Sequence, residues 1–171
     1  MPTAPVLRRS VLLPRLARVV HWPGRRRPPP RPDRTAQLTR LADVLAEAVA
    51  EQVPTDLVVA GCGEPGPVPG TLARATGLQA VRWSRLATRL RDLPADGDVA
   101  GLREHALRLV LYHEWMLRHS ADLAFTSHPD ARTEQARIRI NGLGAPADRL
   151  RELYLLVRAE SDRTRRERSG S

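Results

Sequence analysis

Apolar residues recur at helical spacing through most of the chain and predict a series of amphipathic helices. The first of these follows Asp33, and its apolar positions are Leu38, Leu41, Leu45, Ala48 and Val49. This spacing has the period of an α-helix with one buried face. Asp33 or Thr35 can cap the first turn, and Pro54 lies just beyond the predicted end.

A longer helix is predicted over residues 99–124. One face carries apolar residues at steps of seven, and smaller or aliphatic neighbours widen it: Leu102, Leu109, Met116 and Leu123, then Ala106, Val110, Leu117 and Ala121. The opposite side carries oppositely charged residues four positions apart, such as Glu114 and Arg118. We therefore expect this helix to form the hydrophobic centre of the domain.

The C-terminal third predicts one further helix and one ambiguous segment. Residues 145–160 have an apolar face and Pro146 at the start, a position that proline favours. Residues 134–142 fit either a short helix or a strand, because their apolar residues alternate before Gly142. Residues 161–171 are rich in arginine and are predicted to be a disordered basic tail.

Composition agrees with a mainly α fold. Aromatic residues make up only 4% of the chain, so leucine, valine and alanine must build the core, which favours helices over sheet. The run RRRPPPRP at 25–32 fits neither helix nor strand, since proline lacks the N–H donor. We predict an irregular bundle of four to five helices over 35–160, preceded by a disordered Arg/Pro-rich arm at 1–34.

Charge and cysteine content limit the class of protein. The formal charge is +9, all 28 basic residues are arginine, and residues 1–34 hold nine of them against one acid. Such basic tails suggest a protein or nucleic-acid partner. Cys62 is the only cysteine, which excludes an internal disulfide and fits a cytoplasmic location. No apolar run approaches the ~18 residues of a membrane span.

The stretch LVVAGCGEPG at 57–66 places G-x-G-x-x-G after a strand-like run. It resembles the first motif of class I methyltransferases, which implies a strand-to-helix turn that binds a methyl donor or nucleotide. Three prolines, Pro65, Pro67 and Pro69, remove N–H groups that such a loop would offer. No acidic strand end follows to bind a ribose. We favour a stiff connection between helices, with a degenerate methyl-donor or nucleotide-binding enzyme as an alternative.

Residues 69–93 carry a second pattern, with Leu72 and Ala73 before Gly77 and Leu78 after it. The stretch resembles a helix-turn-helix unit over about 22 residues, which implies a second helix in the major groove of DNA. Under this hypothesis three side chains would face base edges and three would hold phosphates: Gln79, Arg82 and Arg85, then Arg74, Arg89 and Arg91. Trp83 departs from the pattern, and a structural helical hairpin is the other interpretation.

The remaining chemistry-bearing residues predict no catalytic residue, metal ligand or cofactor site. His113 and Glu114 begin like H-E-x-x-H, but Leu117 stands where the second metal-binding histidine would be. His113 is therefore expected to be a hydrogen-bonded core residue. We predict a non-catalytic accessory or regulatory protein that binds a macromolecule. A helix-turn-helix DNA binder and the degenerate enzyme are the alternatives.

Overall fold

The computed structural model describes residues 33–140 and 142–170, and within these ranges all regular structure is helical. The six helices are α1 (Arg34–Ala50), α2 (Gln52–Gly63), α3 (Gly70–Asp92), α4 (Gly97–Ala124), α5 (Ala131–Arg137) and α6 (Ala145–Ser169). Five of them have at least twelve residues, and α5 has seven. The predicted mainly α bundle is confirmed. The predicted N-terminal arm falls almost wholly on residues 1–32, outside the described residues.

Helix α1 begins within one residue of its predicted start, and Asp33 is the residue that caps it. The Asp33 side chain accepts a hydrogen bond from the Ala36 amide at 2.9 Å. Leu38, Leu41 and Leu45 are fully buried. Helix α1 packs along α6, and both helices contact α4. The boundary predicted at residue 35 is one residue late, since the helix already includes Arg34.

Helix α6 continues well past residue 160, so the predicted disordered tail is wrong for residues 161–169. The start of α1 provides its partners. Ser161 is buried, and its hydroxyl lies 2.9 Å from that of Thr39. Further along, Arg168 forms a 2.8 Å ion pair with Asp33. These contacts join residues more than 120 positions apart in the chain.

Helix α4 is the predicted central helix, but its buried face is centred differently. Its most buried positions are Val99, Ala106, Val110, His113, Leu117 and Ser120. Of the residues predicted at steps of seven, Leu109 is buried, whereas Leu102 and Met116 are only partly buried. Because α1, α2, α3 and α6 all contact α4, the covered face is wider than a heptad stripe. None of the helices in the described ranges combines the length and apolar content needed to cross a bilayer.

Two of the three glycines of the G-x-G-x-x-G stretch, Gly61 and Gly63, lie inside a helix. Residues 57–60 are helical rather than extended, and α2 continues through Gly61 and Gly63. A Cβ at Gly63 would lie 2.5 Å from the backbone oxygen of Ile140, so glycine is required there for close packing. The strand-to-helix turn of a methyl-donor site is therefore not formed. The connection between helices that the sequence predicts is present, but it comprises only residues 64–69.

Residues 70–92 form one unbroken helix, so the predicted turn at Gly77 is wrong. Buried residues follow a single face of α3 on both sides of that glycine, from Thr76 to Trp83 and Leu90. This continuous buried face holds the chain helical through Gly77. The two-helix arrangement that a helix-turn-helix unit needs is absent from this stretch.

Two glycine substitutions test these corrections, because they should change the free energy of unfolding in opposite directions. Gly77→Ala should raise the free energy of unfolding by about 0.5–1 kcal/mol, because Gly77 is helical and nothing lies within 4 Å of the added Cβ. Gly63→Ala should lower it, because the Cβ would collide with the Ile140 carbonyl. Urea unfolding of both variants measures the effects. Loss of stability in Gly77→Ala would indicate a turn at that residue.

A small polar cluster lies buried between α2, α3 and α4. The Trp83 indole donates to the Thr55 hydroxyl at 2.8 Å and stacks on His113, with ring centroids 4.6 Å apart. His113 Nδ1 donates to the Leu109 carbonyl at 2.7 Å, which leaves Nε2 as an acceptor 3.5 Å from the Gln52 amide nitrogen. The prediction that His113 is a hydrogen-bonded core residue is confirmed.

Folding stability should fall below about pH 6.5 because of His113. Burial lowers the pKa of His113, and the hydrogen bond to Leu109 offsets part of that effect. The unfolded chain has an ordinary histidine pKa, so below that pH it binds more protons than the folded chain does. The free energy of unfolding therefore falls with pH, by at most about 1.4 kcal/mol per pH unit. Urea unfolding at pH 7.5 and 5.5 measures this loss. His113→Gln should flatten the pH dependence; an unchanged slope would exclude His113 as its source.

Candidate interaction surface on α3 and α4

The structure does not assemble the six predicted DNA-contacting residues into one open basic face. Gln79 is only 5% exposed, and its Oε1 has no hydrogen-bond partner within the described part of the chain. Arg82 forms a 2.9 Å ion pair with Glu51, and the two terminal guanidinium nitrogens of Arg89 donate to the Glu47 carboxylate. The other three, Arg74, Arg85 and Arg91, are exposed and form no ion pair with a described residue. Acidic residues of α1 and its connection to α2 thus neutralise part of the predicted basic patch.

Two of these arginines line a groove between α3 and α4. The groove has a volume of about 500 Å³, and its lining combines small or aliphatic, hydroxyl and guanidinium groups: Ala80, Val81, Ser84, Arg85, Thr88, Arg89 and Arg118. Arg118 comes from α4 and forms a 2.6 Å ion pair with Glu114. No carboxylate lines the groove. It is therefore a largely apolar depression with three guanidinium groups at its rim, of which those of Arg89 and Arg118 are paired with carboxylates.

An aromatic cluster lies on the exposed side of α4. Trp115 is 52% exposed and stacks on His119, with ring centroids 5.1 Å apart and planes 7° apart. Tyr112 lies on its other side at 5.6 Å. Trp115 precedes Arg118 by three residues, so these two side chains are neighbours on the surface of α4, although no residue of the cluster lines the groove. The groove residues together with Tyr112, Trp115 and His119 are called the α3/α4 surface below.

The α3/α4 surface has the composition of a protein-binding site. Trp, Tyr and Arg are the residues that most often dominate binding energy at interfaces. The stacked Trp115 ring is held in place before binding, which reduces the side-chain entropy lost on association. Sequence reasoning missed Tyr112 and Trp115. The signal was available, because both fall on the polar side of an amphipathic helix, where a large aromatic group has no core to fill.

Two other features of the fold are weaker candidates. A groove of about 350 Å³ between α2 and α6 exposes Val53 and Leu57 but has no aromatic lining. Cys62 is fully buried, and burial raises the pKa of its thiol, which disfavours the reactive thiolate. Across the described ranges, no group of three or more His, Cys, Asp or Glu residues could hold a metal ion.

Comparisons with known proteins add no assignment to this geometry. The chain matches no protein-family model, no curated protein and no solved structure.

Proposed function

We propose that this chain is a non-catalytic accessory or regulatory protein that acts by binding another protein through the α3/α4 surface. The observation that carries the proposal is Trp115, a half-exposed indole stacked on His119 and three residues before Arg118, which lines the groove. A large aromatic group left in water favours coverage by a partner. A cytoplasmic setting, inferred from the single cysteine, belongs to the same proposal.

Protein is favoured over nucleic acid as the partner by the charge of the folded part. Residues 33–170 contain twenty arginines and nineteen acidic residues, so this part is nearly neutral. Binding to duplex DNA depends on cations that neutralise several phosphates at once. Two predicted DNA-contacting arginines are already paired with Glu47 and Glu51. The arginines of residues 1–34 offer a route to nucleic acid that is independent of α3, and the test below separates the two.

The test compares Trp115→Ala with Leu57→Ala in the full chain. Leu57 is 69% exposed and lies at the rival α2/α6 groove, so both changes remove an exposed apolar side chain. A partner is isolated from lysate with the unaltered chain, purified, and titrated against all three proteins. We expect Trp115→Ala to weaken binding by about tenfold or more, the effect of a central aromatic contact, and Leu57→Ala to leave it within about twofold.

Two results would contradict the proposal. Partner binding that depends on Leu57 and not on Trp115 would move the binding site to the α2/α6 groove. A bound fraction that nuclease removes, and that both variants retain equally, would identify nucleic acid held outside the α3/α4 surface.

A further inference from the structure

We infer that the groove of the α3/α4 surface binds an acidic amphipathic helix of the partner protein. The inference rests on the proposed function and adds the chemistry of the segment that is bound. It follows from the charge, the apolar character and the length of the groove.

Charge complementarity selects an acidic segment. Arg85, Arg89 and Arg118 line the groove, and no carboxylate is among the lining residues. Arg89 and Arg118 are already paired with Glu47 and Glu114, which lie outside the lining, so the unneutralised charge at the rim is that of Arg85. Arg85 has no ion-pair partner within the described residues, so its guanidinium is open to a carboxylate of another chain. Guanidinium groups bind carboxylates in a planar two-bond geometry, which makes Arg85 the specific anchor.

Apolar character selects an amphipathic segment rather than a uniformly acidic one. Ala80 and Val81 line the groove, and Val81 is 48% exposed. Leu78, three residues before Val81 on α3, is 60% exposed and adds a further apolar side chain outside the groove lining. A volume of about 500 Å³ has room for large aliphatic or aromatic side chains. Acidic residues on a partner would meet the rim, and its apolar residues would fill the depression.

The length of the groove fits a helix. The lining residues of α3 extend from Ala80 to Arg89, and these ten positions span about 13 Å along a helix axis. A partner helix with apolar residues at positions i, i+4 and i+7 presents anchors over about 10 Å. Two to three turns of an acidic amphipathic helix therefore fit along the groove.

The test uses a displayed library of random 16-residue peptides, selected on the full chain. Peptides that bind the full-chain Arg85→Glu variant equally well are removed. Both proteins carry the same arginines in residues 1–34, so attraction to that segment cancels. The best peptide is then synthesised and titrated against the unaltered chain, Arg85→Glu, Val81→Ser and the control Arg91→Glu. Arg91 is exposed on the same helix, forms no ion pair with a described residue and does not line the groove.

We expect enriched peptides to combine Asp or Glu with Leu, Ile or Phe at helical spacing. Arg85→Glu should weaken binding about tenfold and Val81→Ser severalfold, whereas Arg91→Glu should stay within about twofold. Circular dichroism of each variant should match that of the unaltered chain, since all three sites are exposed.

Enrichment of basic or uncharged peptides would overturn the inference, as would equal losses in Arg85→Glu and Arg91→Glu. Preferential binding of a labelled DNA or RNA fragment that Arg85→Glu abolishes would also overturn it. If Trp115→Ala abolishes binding of the natural partner while Arg85→Glu does not, the acidic-helix inference fails and the proposed function stands. Failure of both variants to affect any partner would reject both.

Discussion

Trp83→Ala is expected to lower the free energy of unfolding by about 3–5 kcal/mol. Trp83 is the largest fully buried side chain of the described residues. Its removal leaves a cavity between α2, α3 and α4, takes the stacking partner from His113 and leaves the Thr55 hydroxyl without its indole donor. A domain of this size is stabilised by only about 5–15 kcal/mol, so much of the protein should unfold or aggregate on expression.

Trp115→Ala is the matched control for this change, since it deletes the same side chain from the surface. Its effect on the free energy of unfolding should stay below about 0.5 kcal/mol. Trp83→Phe should lie between the two, because it keeps an aromatic ring but loses the hydrogen bond to Thr55. Urea unfolding followed by far-UV circular dichroism measures all three variants. Equal losses for Trp83→Ala and Trp115→Ala would contradict the assignment of one to the core and the other to a binding surface.

Arg137→Met is expected to lower the free energy of unfolding by about 2–4 kcal/mol. The buried Arg137 guanidinium donates to the carbonyls of Cys62, Glu64 and Gly66, at 2.9, 2.6 and 3.2 Å, and to the Glu134 carboxylate. It thereby closes the C-terminal end of α2 and ties it to α5. Methionine keeps the apolar stem but leaves these carbonyls without their donor, at about 1–3 kcal/mol for each that water cannot reach.

Arg137→Lys should recover only part of this loss, because an ammonium group cannot reach several carbonyls with the fixed fork of a guanidinium. Arg139→Ala is the matched control, since Arg139 is exposed two residues further along the chain. Its effect should stay below about 0.5 kcal/mol. Urea unfolding of the three variants provides the comparison. Full recovery with lysine would show that positive charge, rather than the three-carbonyl geometry, holds this end of α2.

The bounds of α1 and α4 could be predicted closely because their signals are local. A capping side chain such as Asp33 and a run of apolar residues at helical spacing act within a few turns of the helix they define. Gly77 misled the prediction because glycine within a helix costs only about 1 kcal/mol relative to alanine. The buried face that extends from Thr76 to Leu90 outweighs that cost.

The other errors of the sequence prediction arose where residues far apart in the chain determine the local structure. Gly63 is glycine because the backbone of Ile140, more than seventy residues away, packs against it, and a local glycine pattern carries no sign of that contact. The helix beyond residue 160 depends in the same way on Thr39 and Asp33.

The surroundings of the predicted DNA-contacting arginines differ from the prediction in part for the same reason. Arg82 and Arg89 looked like free cations because their partners, Glu51 and Glu47, are 31 and 42 positions away in the chain. Arg85 and Arg89 nevertheless belong to the groove, so part of the predicted site persists in a different structural setting. Trp115 is the residue that local reasoning could have found, since an indole on the polar side of an amphipathic helix signals a contact outside the domain.

The most direct test of the α3/α4 surface is photo-crosslinking from position 115. Full-length chains carrying p-benzoylphenylalanine in place of Trp115, or in place of Leu57 at the rival groove, are irradiated in lysate, and the adducts are identified by mass spectrometry. The proposed function predicts a discrete protein adduct from position 115, absent or much weaker from position 57 and suppressed by excess unaltered chain. A competed protein adduct from position 57 with none from 115, or a crosslink to nucleic acid alone, would contradict it.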